Sequence, residues 1–162
     1  MKILALVAGI TGAAALAQFP EASTQYVQRL AGAVDELAVV VEDFDRSAEA
    51  AGLTRYQALD ELTGTAFLNA RNADMTRTLT RFEALSADLT LLRAAGPLER
   101  LLLMPARLDT EIGRRAIQDF QPALPASFLG VGFAAIGFLA GYGLLAALAG
   151  LLARLLRRRQ MV

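Results

Sequence analysis

The chain has 162 residues, 55% apolar and 20% charged, with 16 cations balancing 16 acids. It contains no Cys and no His, which excludes disulfides and thiol chemistry and removes the commonest general base and haem, zinc or copper ligand. All sixteen acids lie between Glu21 and Asp119 among eleven arginines, net −5, while Lys2, Arg154, Arg157, Arg158 and Arg159 leave the ends at +5.

Residues 1–19 open the chain with an apolar run, Ile3 to Ala17, that rises only ~22 Å as a helix against a ~30 Å hydrocarbon core. Two readings stay open. Ala15-Leu16-Ala17, with Lys2 ahead of it, has the form of a secretory cleavage site, so the run can be a cleaved signal peptide. Alternatively it is a first transmembrane helix. Phe19 extends the run, and Pro20 suits the first turn of a new helix. Gly9, Ala13 and Ala17 recur every four positions and form a smooth face for a second helix. The second reading is carried forward.

Residues 20–125 form the acidic middle and carry helical signals. Leu30, Leu37 and Phe44 repeat every seven residues with Val34 and Val41 between them, predicting a helix from about Glu21 to Ala50. Gly52 ends it, and Thr54-Arg55-Tyr56-Gln57 fits a capping box opening a short helix to Leu62. Leu68, Met75, Phe82 and Leu89 again step by seven, with Leu79, Leu85 and Leu92 beside them, predicting a second long helix from Thr65 to Ala94. Neither helix can hide its stripe alone, so the two are expected to form an antiparallel, coiled-coil-like hairpin. Asp35, Glu42, Asp45 and Glu49 flank one arm, and Arg71, Arg77 and Arg81 on the other are spaced to meet acids of an antiparallel neighbour. Beyond Gly96-Pro97, a short apolar turn from Leu98 to Met104 either packs under the hairpin, the favoured role, or dips into the lipid interface. Pro105 then precedes a helix from Arg107 to Gln121, and Pro122 and Pro125 lead onward.

Residues 126–153 carry no charge and rise roughly 40 Å as a helix, which predicts a second transmembrane span. Gly130, Ala134, Gly137 and Gly141 line one side of it, suited either to packing on the first span or to association with another chain, with Gly143 and Ala147 as a further small face. Residues 154–162 form a basic tail. Arg154, Arg157, Arg158 and Arg159 place the C-terminus in the cytoplasm by the positive-inside bias and suit contact with anionic lipid. The fold expected is therefore all-α, with two transmembrane helices flanking a helical hairpin on the periplasmic side of the inner membrane and both termini cytoplasmic.

Chemistry-bearing patterns are few. Glu42-Asp43-Phe44-Asp45 lacks the glycine and alternating spacing of a calcium loop and reads as a solvated helix face. The terminal arginines beside a span read as a topology signal rather than a nucleic-acid patch. No Gly-rich phosphate loop or nucleophile elbow occurs, so catalytic, cofactor and metal sites are expected to be absent.

Gln18-Phe19-Pro20-Glu21, Gln25-Tyr26, Gln28-Arg29-Leu30, Gly32 and Asp35-Glu36-Leu37 resemble an uncharacterised domain-of-unknown-function family of small proteobacterial inner-membrane proteins. Gly52-Leu53-Thr54-Arg55, Ala73-Asp74-Met75 and Gln121-Pro122-Ala123-Leu124-Pro125 are similar too. The resemblance implies two spans with a helical region between and supplies no activity or site residue. The function expected from these patterns is a non-enzymatic scaffold or accessory subunit, in contact with lipid and assembling with itself or with a larger membrane complex through helix packing. The competing expectation is a carrier of lipid or a small apolar molecule, in which the hairpin opens and its stripe shelters the guest in a cavity lined by Val34, Val41, Leu79 and Phe82.

Overall fold

The computed structural model describes the backbone of residues 2–122 and 128–159 and the side chains of residues 3–122 and 128–152. Among them are seven helices and no strand: α1 (Lys2–Ala17), α2 (Phe19–Ala50), α3 (Arg55–Glu61), α4 (Ala66–Ala94), α5 (Pro97–Arg107), α6 (Thr110–Gln118) and α7 (Phe128–Arg159). They group into two compact units. One is Gln25–Gln118; the other joins the residues up to Thr24 with those from Asp119 onward.

In the terminal unit, α1 lies against α7. The helical runs Ile3–Ala50 and Phe128–Leu152 are each long and apolar enough to cross a membrane. α7 does not stop at Ala153. Leu155, Leu156 and the arginines around them are good helix formers without Gly or Pro, and the backbone stays helical through Arg159. Pro122 lies outside any helix, as expected, while Pro125 falls outside the described residues.

In the central unit, the two heptad stripes meet. Tyr26, Val27, Leu30, Ala31 and Val34 of α2 pack with Leu85, Leu89 and Leu92 of α4, and Leu30 and Leu92 are fully buried. Farther along the arms Val41 meets Met75 and Leu79, with Phe44, Phe82 and Leu59 of α3 around them. Leu37 packs half-buried against the first cluster, whereas Leu68 is half-buried and belongs to neither. Level partners along this seam show that α2 and α4 run antiparallel. The turn between them is set locally. Gly52 and Gly64 have φ of 72° and 97°, a region disfavoured for side-chain-bearing residues. Thr54 and Gln57 exchange the capping-box bonds, and the Thr65 hydroxyl accepts from the Leu68 amide at 3.2 Å.

The segment after Gly96 departs from expectation. Leu98 to Met104 is not a turn: α5 runs from Pro97 through Pro105 to Arg107. Pro105 is tolerated because it sits in the last turn, where the missing N–H forfeits a single bond to Leu101 and the ladder closes with Leu108 N–H to the Met104 carbonyl at 2.9 Å. Leu103 and Met104 pack on the seam, while Leu98 and Leu102 are 54% and 80% exposed. The next helix starts at Thr110 rather than Arg107, because Asp109 caps it. The Asp109 carboxylate accepts from the Glu111 and Ile112 amides at 3.1 and 2.9 Å.

Tyr26 fastens this α5–α6 junction to α2. Its hydroxyl accepts from the Asp109 amide at 2.9 Å and donates to the Arg107 carbonyl at 3.5 Å, and Ile112 of α6 buries into the same cluster. Arg81 of α4 reaches the Asp109 carboxylate at 3.2 Å and Glu111 at 3.6 Å. Burial on its own raises the Asp109 pKa, but the Ile112 amide, the Arg81 guanidinium and the Glu111 amide together outweigh it and hold the group below its usual 3.8.

Two outcomes are expected. Leu30→Ala or Leu92→Ala removes a fully buried side chain and costs about 2–5 kcal/mol of stability, whereas Val39→Ala, at a side chain 56% exposed, changes it by less than about 0.5 kcal/mol. Denaturant titration followed by helix circular dichroism separates them. A carboxyl whose folded pKa lies below its unfolded value stabilises fully above about 3.8 and loses that contribution as the pH falls through the folded value. The melting-temperature gap between the wild type and Asp109→Asn should therefore be widest near neutral pH and close in acid. A gap that stays constant from pH 7 to pH 2.5 contradicts this.

Candidate functional site: helix-packing surfaces

The closest approach in the terminal unit is backbone on backbone. A methyl group placed on Gly12 would collide with the Gly137 carbonyl oxygen, one on Gly137 with the Gly12 carbonyl oxygen, and one on Gly141 with the Ala8 carbonyl oxygen. These obstacles are peptide groups rather than flexible side chains, so only glycine fits. In lipid, where no water-driven burial acts, dispersion between closely packed backbones is one of the forces that hold helices together. The neighbouring side chains complete the seam. On α1 these are Ala5, Gly9 and Ala17, all buried, with Ala13 half-buried; on α7 they are Gly130, Phe133 and Gly137, buried, with Ala134 and Gly141 half-buried. Phe19 stacks on Phe133 with ring centroids 5.6 Å apart.

Of the seven positions expected at the membrane contact, Gly9, Gly137 and Gly141 approach across this seam within the chain, while Ala17 and Gly130 are buried and Ala13 and Ala134 half-buried. The residue that sequence reasoning missed is Gly12. Spacing by four selected Gly9, Ala13 and Ala17; the atoms nearest a carbon added to Gly9 belong to the Phe138 ring, at 2.8 Å, whereas at Gly12 the nearest is a backbone carbonyl. The signal available was chemical: two glycines four apart on α7 call for glycine opposite, and α1 offers only Gly9 and Gly12. Gly143, on the further small face, has nothing within 4 Å, and Ala147 is exposed. Arg154, Arg157, Arg158 and Arg159 have helical backbone, but their side chains lie outside the described residues.

On the central unit the charges do not cross the hairpin as expected. Arg71 and Arg77 both turn to Asp74 on their own helix, the first at 3.6 Å. Arg81 turns to the α5–α6 junction. Asp45 is held by Arg55 through bonds of 2.7 and 2.5 Å, which keep its carboxyl below the usual range through the hydrogen bonds and the adjacent charge. Asp43 pairs with Arg46 at 2.7 Å. A partner three residues away on the same helix is nearer than one across the seam. Asp35, Glu36, Glu42 and Glu49 are exposed and make no ion pair among the described residues.

Two open hollows flank α4. One, of about 560 Å³, lies between α4 and the α5–α6 junction, with Leu85, Ala84 and Leu108 as floor and Arg81, Arg107 and Asp88 at the rim. The other, of about 500 Å³, is lined by Leu37, Arg71, Asp74, Arg77, Thr78 and Arg81. Of the residues expected to line a carrier cavity when the hairpin opens, Val34, Val41 and Leu79 are buried in the arm-to-arm seam, and Phe82 packs against it.

The glycine seam is open to a direct test. Spin labels on cysteines replacing Val7 and Leu144, 53% and 65% exposed, are unique because the chain has no other Cys. Gly12→Ile should lengthen and broaden their distance distribution, while Gly143→Ile, which meets open space, should leave it unchanged. Equal effects of the two substitutions would remove Gly12 from the contact.

No curated protein and no solved structure matches the chain. A family model described as a protein of unknown function (DUF2937) matches residues 1–158. With nearly its whole length covered, helical throughout its ordered elements and fastened at its two ends by a glycine seam, the chain belongs to the DUF2937 family.

Proposed function

We propose that the protein is a non-enzymatic, two-span inner-membrane scaffold or accessory subunit, whose helical body stands on the periplasmic side and engages other chains through helix packing. The observation that carries this reading is the backbone contact of Gly12 with Gly137 and of Ala8 with Gly141. Two apolar helices drawn so closely together make one compact anchor, suited to holding a helical body rather than to opening around a guest. The lack of charge in 126–153 supports lipid as its surroundings, and the four arginines from Arg154 to Arg159 support a cytoplasmic C-terminus. The body's grooves are open rather than enclosed, which favours contact with a protein surface over capture of a small molecule. The glycine face of α7 is occupied within the chain, so assembly in this reading works through the body or through the outer faces of the spans.

The test is the mass and composition of the particle extracted gently from native membranes. The expected result is a multiple of the 17.3 kDa chain or a stoichiometric complex with another membrane protein. A single chain accompanied only by lipid overturns the scaffold reading.

A further inference from the structure

We propose that the body's charged flanks are the two halves of one head-to-tail contact between copies of this chain: the acidic flank of α2 in one copy lies in the arginine-lined groove of α4 in the next. This rests on the self-assembly reading above and gives it a surface.

Asp35, Glu42 and Glu49 repeat every seven residues, so they form a single line along α2. They are exposed and have no cation partner among the described residues, and Val39, 56% exposed, sits beside that line as an apolar centre. On α4, Arg71 and Arg77 share one carboxylate, Asp74, in the groove they line with Leu37, while Arg81 at the end of that groove is engaged by Asp109 and Glu111. The unit therefore holds an acidic line without cation partners and a groove in which two guanidinium groups share a single carboxylate.

These two features cannot satisfy each other within one chain. Leu37 lines the arginine groove, and Asp35 is two residues away, about 200° around the helix. The acids accordingly leave α2 on the side of the hairpin opposite the groove. A second copy standing in the same orientation brings its acidic side to the first copy's groove.

The heights agree. The seam sets Val41 level with Met75 and Leu79, and Leu30 and Val34 level with Leu85 and Leu89. Arg81, Arg77 and Arg71 of one copy then stand level with Asp35, Glu42 and Glu49 of the next, to within about two residues or ~3 Å of rise. A neighbouring copy in the same orientation and at the same height keeps this match. The same register that the apolar seam imposes inside the chain thus aligns the charges between chains. Because each copy uses a different surface on each side, the contact is heterologous, and rotation about an axis normal to the membrane closes it into a ring.

Single cysteines in full-length chains test the contact in membranes. One chain carrying Glu42→Cys and a differently tagged chain carrying Arg77→Cys are made together and treated with a short bifunctional maleimide. A band containing both tags is expected, with none from the out-of-register pair Glu49→Cys and Arg81→Cys. Adding Arg71→Glu to the second chain should abolish the band, and adding Glu49→Arg to the first should restore it. A chain carrying both Glu42→Cys and Arg77→Cys should give a ladder of three or more subunits. A ladder that stops at two overturns the head-to-tail arrangement. If the extracted particle is multi-chain but shows no 42-to-77 band, or holds one copy with a different polypeptide, this surface is wrong while the scaffold reading stands. A single-chain particle ends both.

Discussion

Backbone-to-backbone approach between two glycine-bearing helices is the constraint from which the rest of this molecule follows. Helices in lipid gain nothing by hiding apolar side chains from one another, since the surroundings are equally apolar. They associate where atoms can approach closely, and here the Gly12 and Gly137 carbonyls occupy space that any side chain would take. The result is local in cause and wide in consequence. A chain whose first and last helices are joined in this way has one unit built from its two ends, and the helices between them form a second.

The central unit solves a different problem with different means. In water, apolar burial does drive association, and α2 and α4 bury their stripes against each other over two successive clusters. A two-helix seam is thin, however, and α5 and α6 thicken it on one side over part of its length. The polar device that secures them is Tyr26, whose single hydroxyl serves an amide and a carbonyl of the α5–α6 junction at once. Next to it Asp109 combines helix capping with ion pairing to Arg81. A connection between helices has thereby become specific, because the Tyr26 hydroxyl and the Asp109 carboxylate each hold two of its groups in place.

Charge on this unit is arranged by neighbourhood rather than by the hairpin. Arg71 and Arg77 find Asp74 one helical turn away, and Asp45 finds Arg55 just past the turn. Short-range pairs of this kind contribute only about 0.2–1 kcal/mol each, so the hairpin is stabilised by its apolar seam and the remaining charges are free to act outward. That division, with apolar residues setting register and charged ones setting what meets the surface, connects the architecture to the scaffold role proposed for it.

Much of the fold was legible in the residue order. The heptads through Leu30, Leu37 and Phe44 and through Met75, Phe82 and Leu89 announced the arms, Thr54 with Gln57 announced the short helix, and the charge-free 126–153 announced the last apolar helix. These signals are periodic or local, and periodicity is a property of the chain itself. Gly12, Tyr26 and the course of α5 were not legible, for one shared reason: each depends on what lies opposite. Gly12 matters because Gly137 faces it, Tyr26 because the Asp109 amide comes within reach, and Pro105 continues a helix because it falls in its last turn with Met104 already packed on the seam. Sequence alone determined which residues could be helical and which stripes had to be buried. Only the tertiary structure decided which faces meet, since close approach and hydrogen-bond partnership are relations between distant segments that no one-dimensional spacing encodes.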